Sequence, residues 1–342
     1  MMKRWGLLIL LLLLGCAGAE RPSTPTATAI PPTSQPTTTP TATATAVPTA
    51  TSTLTVTPTE LPTETPEPTL PPPPTLTPTP TNTSVPETAV PAVTRHSTVE
   101  RWQGVAEYSF FSQSRQQEIF FTIFTPPGYD QSEDRYPVLY FLHGSQGSHI
   151  LFWNAVSREV PAANSDAGAW LSQLMEAGEL PPFILVAPND TDGGWGDENE
   201  VMVTQELIWA IDGNWRTIAN RNGRSLMGFS LGAAGAMRYP ARHSDLYCNT
   251  MVLAESAVDE AATLWAVNQE AVLANGLEVR LAVGQLDERA VNASTAVSQI
   301  LEELSIPHEL LIIPDVPHDF GKLFNQIHDW AFDFYTSCWA QE

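Results

Sequence analysis

The sequence has few basic side chains: 16 Lys and Arg stand against 38 Asp and Glu, which gives a formal net charge of −22. Within residues 98–342 there are 12 basic and 33 acidic side chains, and Lys322 is the single lysine in that range. A chain with so few cations has little with which to contact phosphates, so its composition argues against a nucleic acid partner. The excess of negative charge is expected to keep the protein soluble.

The apolar run near the N-terminus, Leu7–Leu14, is too short for a membrane span. Together with the preceding Lys3 and Arg4 it predicts an export signal over residues 1–15. Cys16 directly follows Leu-Leu-Gly, which resembles the lipobox of bacterial lipoproteins, in which the cysteine is lipidated. The alternative is an ordinary signal cleaved near Ala17–Ala19. We therefore expect an exported protein, either a cell-surface lipoprotein held to the membrane only by its lipid or a secreted protein.

Aromatic residues are almost absent from residues 16–97, which consist mainly of Thr, Pro, Ala and Ser. Such a segment has too little apolar surface to offset its ordering entropy, so we expect a disordered linker. Its closely spaced prolines favour polyproline II, with a reach of at most roughly 3.1 Å per residue, or about 200 Å in all. The threonines beside prolines suit O-glycosylation; an unmodified spacer is the alternative.

Cysteine is scarce too, with three residues in the chain. If Cys16 is lipidated, Cys248 and Cys338 remain as an even pair in an oxidising compartment, and a disulfide between them is a hypothesis. No cluster of Cys and His has the spacing of a metal site, so the residues alone do not predict a metal.

Residues 98–342 have the length of one domain, in which continuous apolar runs alternate with helix-like periodicity. This pattern predicts an α/β fold with a mainly parallel central sheet, helices on both faces and an antiparallel hairpin at its start. The hairpin strands are predicted at 104–111 and 117–125. Later strands are predicted at 138–142, 183–187, 225–229, 250–254, 278–283 and 309–313. The helices are predicted at 167–177, 204–219, 231–239, 260–274, 293–304 and 320–338.

The sequence Gly228-Phe-Ser-Leu-Gly232 follows the predicted strand 225–229 and opens a helix of small residues. This is the G-x-S-x-G nucleophile elbow in its strand–turn–helix setting. The tight turn exposes the hydroxyl of Ser230, and glycine is required on each side because a side chain there would collide with the neighbouring strand and helix. The pattern predicts Ser230 as a nucleophile.

An acid and a base follow in the order that an α/β-hydrolase triad requires. Asp287 lies in the loop after the strand 278–283, with Glu288 beside it as a competitor. His318 lies in the loop after the last strand. Because parallel strands present their carboxyl ends at one edge of the sheet, we expect Asp287 and His318 to complete a triad with Ser230.

An oxyanion hole is predicted from two backbone N–H groups. One belongs to Leu231, directly after the nucleophile. The other comes from the turn after the strand 138–142, most simply from Ser145 and otherwise from Gly144. His143 in this turn is expected to order the turn rather than transfer protons.

These motifs together resemble the α/β-hydrolase family named "Putative esterase", which holds esterase D-type thioesterases, feruloyl and acetyl-xylan esterases, enterochelin esterases and mycolyltransferases. The resemblance runs from Phe121 to about Trp330. Besides the elbow, it rests on Thr125–Asp130, Tyr136–Gly144, Glu206–Asp212, Trp215–Thr217 and His318–Phe320. Departures at Leu231, Ala233 and Trp209 remove no reacting group.

The resemblance implies a single catalytic domain that hydrolyses carboxylic esters through an acyl-enzyme on Ser230, without a cofactor. The aromatic residues Trp153, Trp195 and Phe229 are candidates for the substrate pocket; ordinary core packing is the alternative for each. We expect a monomer that acts on a small or polysaccharide-linked ester, such as a feruloyl or acetyl ester. Two alternatives are an acyltransferase of the mycolyltransferase type and a non-catalytic surface-binding protein on the same fold.

Overall fold

The computed structural model describes residues 90–96, 101–190, 194–256 and 258–339. All of them belong to one unit, Thr81–Glu342. The expected signal, Cys16 and most of the expected linker lie outside the described residues. Within the described ranges, no helix combines the length and the apolar character that crossing a membrane requires.

A nine-stranded sheet with the order β1-β2-β3-β5-β4-β6-β7-β8-β9 forms the centre of the domain. The pairs among β1, β2, β3 and β5 are antiparallel, and every pair from β5 to β9 is parallel. The strands are β1 Val93–His96, β2 Val105–Ser112, β3 Gln117–Phe124, β4 Val138–Leu142, β5 Ile184–Pro188, β6 Arg224–Phe229, β7 Asn249–Leu253, β8 Glu278–Gly284 and β9 His308–Ile313.

The central strands β4, β5, β6 and β7 are buried at every position, as expected of parallel strands covered on both faces. Side chains of β4 alternate between two apolar clusters: Leu139 and Phe141 face one, and Tyr140 and Leu142 face the other. The predicted fold class is therefore confirmed.

The helices are α1 Leu151–Glu159, α2 Ala167–Glu176, α3 Asp197–Val201, α4 Ile208–Asn214, α5 Leu231–Arg242, α6 Ala261–Asn275, α7 Glu288–Glu303 and α8 Phe320–Trp339.

Helix α1 was not predicted from the sequence, and several element boundaries differ from the prediction; three of these differences bear on the domain boundary or on the site. Val93–His96 pairs with β2, so ordered chain is already present before the domain boundary expected at residue 98. Helix α7 begins at Glu288 instead of at residue 293, because the Asp287 carboxylate accepts a hydrogen bond from the Ala290 N–H and caps the helix. The helix expected at 204–219 begins at Asp197, continues through a π-helical segment and ends at Asn214.

Cys248 and Cys338 form a disulfide, with their Cα atoms 6.1 Å apart. Cys248 directly precedes β7, next to the elbow strand, and Cys338 lies in the last turn of α8. The bond therefore fastens the C-terminal helix to the middle of the sheet.

We expect the double variant Cys248→Ser, Cys338→Ser to lose about 4 kcal/mol of unfolding free energy, because the bond closes a loop with a sequence separation of 90 residues. Urea titration with and without dithiothreitol measures the loss. Reductant should destabilise the wild type by a similar amount and leave the variant unchanged. Two reactive thiols at these positions in denatured, unreduced protein would contradict the bond.

Candidate active site

Ser230 lies between the end of β6 and the start of α5 with φ 55° and ψ −115°, a conformation that non-glycine residues rarely adopt. Its N–H donates to the Leu253 carbonyl at 2.8 Å, which fixes the turn to β7. A Cβ on Gly228 would lie 2.0 Å from the Gly232 carbonyl oxygen, and one on Gly232 would lie 2.0 Å from that of Leu142. The sequence G-x-S-x-G therefore permits a strained, outward-facing serine that larger neighbours would prevent.

His318 joins Ser230 to Asp287. Its Nε2 lies 2.9 Å from the Ser230 Oγ, and its Nδ1 forms a short hydrogen bond with the Asp287 carboxylate. The other oxygen of Asp287 accepts the Ala290 N–H at 3.2 Å, so the helix cap also orients the acid. Asp287, and not the neighbouring Glu288, makes the contact with the imidazole. The three side chains have the order and contacts of a nucleophile, a base and an orienting acid.

The turn after β4 packs directly against the elbow. A Cβ on Gly144 would lie 3.1 Å from a ring carbon of Phe229 and 3.2 Å from the Ser230 Cβ. Ser145, the next residue, lines the cavity that contains Ser230. Leu231 is the first residue of α5, so its N–H has no carbonyl one turn earlier in the helix to bond. Both candidate oxyanion donors thus belong to segments that border the nucleophile.

His143 is the buried residue that orders the turn after β4. It is 2% exposed; its Nδ1 bonds the Gly144 carbonyl at 2.8 Å, and its Nε2 accepts the Asp190 N–H at 3.2 Å. This pattern places the proton of a neutral imidazole on Nδ1. Burial lowers the pKa of His143, while the Gly144 carbonyl and the Asp190 carboxylate oppose the shift. The result is a neutral side chain that holds the turn carrying Ser145.

The cavity at the triad has a volume of about 350 Å³. Its walls come from the turn after β4, from α1, from the elbow and from the start of α8. Phe229 lies on this cavity, and its ring centroid is 4.9 Å from that of His318. The lining residues are Gly144, Ser145, Gln146, Gly147, Leu151, Ala155, Arg158, Phe229, Ser230, His318, Asp319, Phe320 and Gly321.

Of the three aromatic candidates for the pocket, Trp153 and Trp195 follow the alternative expectation and lie in the core. Trp153 is fully buried and its indole N–H donates to the Thr122 Oγ1 at 2.8 Å. Trp195 is 1% exposed, and its indole N–H donates to the His143 carbonyl at 2.8 Å. Neither residue lines the cavity. Their indoles stabilise the surroundings of the turn after β4, because Trp195 bonds the carbonyl of His143, which directly precedes Gly144.

A hydrogen-bond network that the sequence analysis did not predict holds the C-terminal end of the loop that follows β4, at His149. The Thr122 hydroxyl accepts the Trp153 N–H and donates to the His149 carbonyl at 2.6 Å. The His149 Nε2 lies 2.6 Å from the carboxylate of Glu107. Glu107 and Thr122 are directly paired residues of β2 and β3. The loop that carries Ser145 is therefore tied at its end to the antiparallel hairpin.

No group of three or more His, Cys, Asp or Glu side chains suited to a metal ion occurs among the residues that the structure describes. The contacts at Ser230 are of the kind by which a histidine can activate a serine nucleophile.

The fold and this arrangement define the α/β-hydrolase class. A search of solved structures finds a ferulic acid esterase with a TM-score of 0.57, 21% identity, and coverage of 69% of this chain and 98% of that one. At this identity the likeness establishes the fold.

A match to a family model assigns the chain to one family of α/β-hydrolases. The model described as "Putative esterase" matches residues 112–334, well over half of the chain. The chain belongs to this esterase family.

Curated relatives match a shorter part. An endo-1,4-beta-xylanase/feruloyl esterase of Xylanibacter ruminicola is 27% identical over 156 residues, which is 42% of this chain and 20% of the relative. An esterase of Mycobacterium tuberculosis is 29% identical over 133 residues, 35% of this chain and 25% of the relative. The matched segment thus spans a quarter or less of each relative.

We expect Thr122→Val to lower kcat for ester hydrolysis by roughly 10-fold with little change in KM. Valine has a similar shape, but it cannot bond the His149 carbonyl and therefore frees the end of the loop that carries Ser145. The expected loss is smaller than the about 10²–10³-fold decrease in kcat that follows complete removal of an oxyanion donor. Steady-state assays with a chromogenic ester measure kcat and KM of each variant. Thr204→Val is the control, because it also removes a buried hydroxyl, which bonds the Glu200 carbonyl away from the loop. Equal effects of the two variants would contradict a positioning role.

The lowered pKa of His143 predicts a pH-dependent stability. Below the usual histidine pKa of about 6.5, His143 takes up a proton in the unfolded chain but not in the folded one. The free energy of unfolding is therefore highest above that pH, and it decreases as the pH falls toward the lowered pKa of folded His143. The slope from one group is at most about 1.4 kcal/mol per pH unit. Urea unfolding of wild type and His143→Gln from pH 8 to 5 tests this; the wild-type advantage should shrink as the solution is acidified. An advantage that is constant or grows would contradict the neutral, buried assignment.

Proposed function

We propose that the protein is an exported serine carboxylic-ester hydrolase that acts through Ser230, His318 and Asp287. The observation that carries the proposal is the continuous hydrogen-bonded chain from the Ser230 Oγ through both nitrogens of His318 to the Asp287 carboxylate. Membership of an esterase family agrees with it. A purely binding protein would have no need for this chain at the floor of a cavity.

The contacts suggest a two-step reaction. As the Ser230 Oγ attacks the ester carbonyl, its proton moves to the His318 Nε2, and Asp287 stabilises the resulting imidazolium. N–H groups of Leu231 and Ser145 receive the oxyanion of the tetrahedral intermediate. The intermediate collapses, the His318 proton passes to the leaving alcohol, and an acyl-enzyme remains. Water then attacks the acyl carbon and gives a proton to His318. As the second tetrahedral intermediate collapses, His318 returns this proton to the Ser230 Oγ and the acid is released.

The substrate we favour is an acyl ester of a polysaccharide. One relative is named a xylanase and feruloyl esterase, and one structural neighbour is named a ferulic acid esterase. The Thr/Pro-rich segment and the lipobox-like Cys16 would hold such an enzyme at the cell surface, where a polymer is accessible. Acyl transfer to another hydroxyl uses the same acyl-enzyme, so analysis of the products with an added alcohol separates transfer from hydrolysis.

We expect Ser230→Ala and His318→Ala each to lower kcat/KM for p-nitrophenyl acetate by several orders of magnitude, and Asp287→Asn by a smaller but still large factor. His328→Ala is the matched control, since His328 lies in α8 and its Nδ1 bonds the adjacent Asp329. Spectrophotometric assays of p-nitrophenolate, with circular dichroism as the check on folding, give the comparison.

Two results would contradict the proposal. One is a folded wild type that hydrolyses neither p-nitrophenyl acetate nor a panel of feruloyl, acetyl-xylan and lipid esters. The other is full activity in folded Ser230→Ala.

A further inference from the structure

A second cavity, which we call the arginine cavity, lies beside the catalytic one. It has a volume of about 590 Å³ and is lined by Arg101, Trp102, Asn154, Ser157, Arg158 and Ser165. The exposed Arg158 borders both cavities and marks their junction. Leu151 and Ala155 of α1 line the catalytic cavity, whereas Asn154 and Ser157 of the same helix line the arginine cavity. The two cavities thus lie on adjacent sides of α1, on the order of 10 Å apart, which is the diameter of a helix with its side chains.

The charged side chains that line the arginine cavity are both arginines, Arg101 and Arg158. The carboxylate of Asp166, which follows the lining residue Ser165, caps α2 and does not line the cavity. In residues 98–342 the 33 acidic side chains outnumber the 12 basic ones. The cavity therefore has a local charge opposite in sign to that of the domain, and it favours an anion.

Arg101 is held in place by two uncharged groups. Its Nη2 donates to the Asn154 Oδ1 at 2.5 Å, and its Cζ lies 4.0 Å from the centroid of the Trp102 ring. The Trp102 indole is fixed in turn, since it is 4% exposed and its Nε1 donates to the Ser157 Oγ at 3.0 Å. No carboxylate pairs with Arg101 in the part of the chain that the structure describes. The guanidinium is thus positioned without being neutralised.

The neighbours of Arg101 have used their acceptor atoms and retain their donors. The Asn154 Oδ1 accepts the bond from Arg101, while the Asn154 amide N–H groups have no acceptor among the described residues. The Ser157 Oγ accepts two N–H bonds, one from the Trp102 indole and one from the Ala167 backbone, each at 3.0 Å. These bonds occupy the two lone pairs of the hydroxyl and leave its O–H as a donor. A guanidinium, an amide and a hydroxyl therefore all offer donors to one cavity.

The place of the cavity indicates which anion it receives. In the proposed reaction the ester enters the catalytic cavity, so neighbouring units of the polymer lie on the surface beside it. A volume of about 590 Å³ is within the range of pockets that bind small molecules, and it accommodates a sugar ring. The anionic group of an acidic sugar is a carboxylate, which a planar guanidinium binds through two parallel hydrogen bonds.

We propose that Arg101, Asn154 and Ser157 form a binding site for the carboxylate of an acidic sugar in the polysaccharide that carries the ester. The proposal rests on the proposed esterase function and narrows its substrate to acylated acidic polysaccharides. Arg101 supplies the charge, and Asn154 and Ser157 add neutral donors. The site holds the polymer beside Ser230 and takes no part in acyl transfer.

The test measures binding of the full-length protein to deacetylated glucuronoxylan, which contains acidic sugars and no ester, by isothermal titration calorimetry. The comparison ligand is the same polymer after reduction of its uronic acids to neutral sugars. We expect the wild type to bind the acidic polymer about 10-fold more tightly than the reduced one. Arg101→Met and Asn154→Asp should abolish the difference, since the new carboxylate of Asn154→Asp would pair with Arg101.

Arg95→Met is the matched control. It removes the same charge from an exposed arginine that does not line the arginine cavity, so it should keep the wild-type preference. Circular dichroism verifies that each variant is folded.

Equal binding of the two polymers by the wild type would overturn the proposal, as would a preference that survives in folded Arg101→Met. An equal loss in Arg95→Met would also overturn it, because the effect would then come from overall charge. Displacement of the polymer by inorganic phosphate but not by glucuronate would assign the cavity to a phosphate ligand and contradict the carboxylate. Since the probe contains no ester, expected binding by a protein that cleaves no ester would support the site and contradict only the esterase proposal.

Discussion

The close approach of α5 to β4 and β6 is the constraint on which the catalytic site depends. It brings the backbone of Gly232 against the Leu142 carbonyl and leaves no room for a Cβ at either Gly228 or Gly232. Ser230 is thereby held at a positive φ with its hydroxyl directed out of the sheet, and the first N–H of α5 borders the same space. The carboxyl ends of β8 and β9 then bring Asp287 and His318 to this one point.

The turn after β4 is held with comparable rigidity, from both ends. His143 and Trp195 hold its start through bonds to the Gly144 and His143 carbonyls, and the chain from Glu107 through His149 and Thr122 to Trp153 holds its end. These buried hydrogen bonds restrict both ends of the turn, although the His149 Nδ1 has no hydrogen-bond partner among the described residues. In the proposed mechanism the position of the Ser145 N–H, which this turn carries, matters most when charge develops on the substrate. The buried Trp153 and Trp195 thus stabilise this turn without lining the cavity.

Much of the architecture could be predicted from the sequence, because buried parallel strands appear as continuous apolar runs and the triad members follow strand ends in a fixed order. The start of α7 was placed too late, since the cap comes from Asp287, a residue assigned to the triad. The sequence left Trp153 and Trp195 open between the pocket and the core, because a tryptophan near such a turn has the same sequence signal in either place. The Glu107–Thr122 pairing depends on the register between β2 and β3, which the apolar alternation of the two strands does not fix to the residue.

The central claim is that Ser230 is an activated nucleophile in an assembled site. Reaction of the full-length protein with a fluorophosphonate, followed by peptide mapping, tests it most directly, because the phosphonate requires a nucleophilic serine, a base and an oxyanion hole together. We predict one adduct per chain, located on Ser230, and none in His318→Ala. A folded protein that stays unlabelled, or one labelled at another serine, would contradict the account.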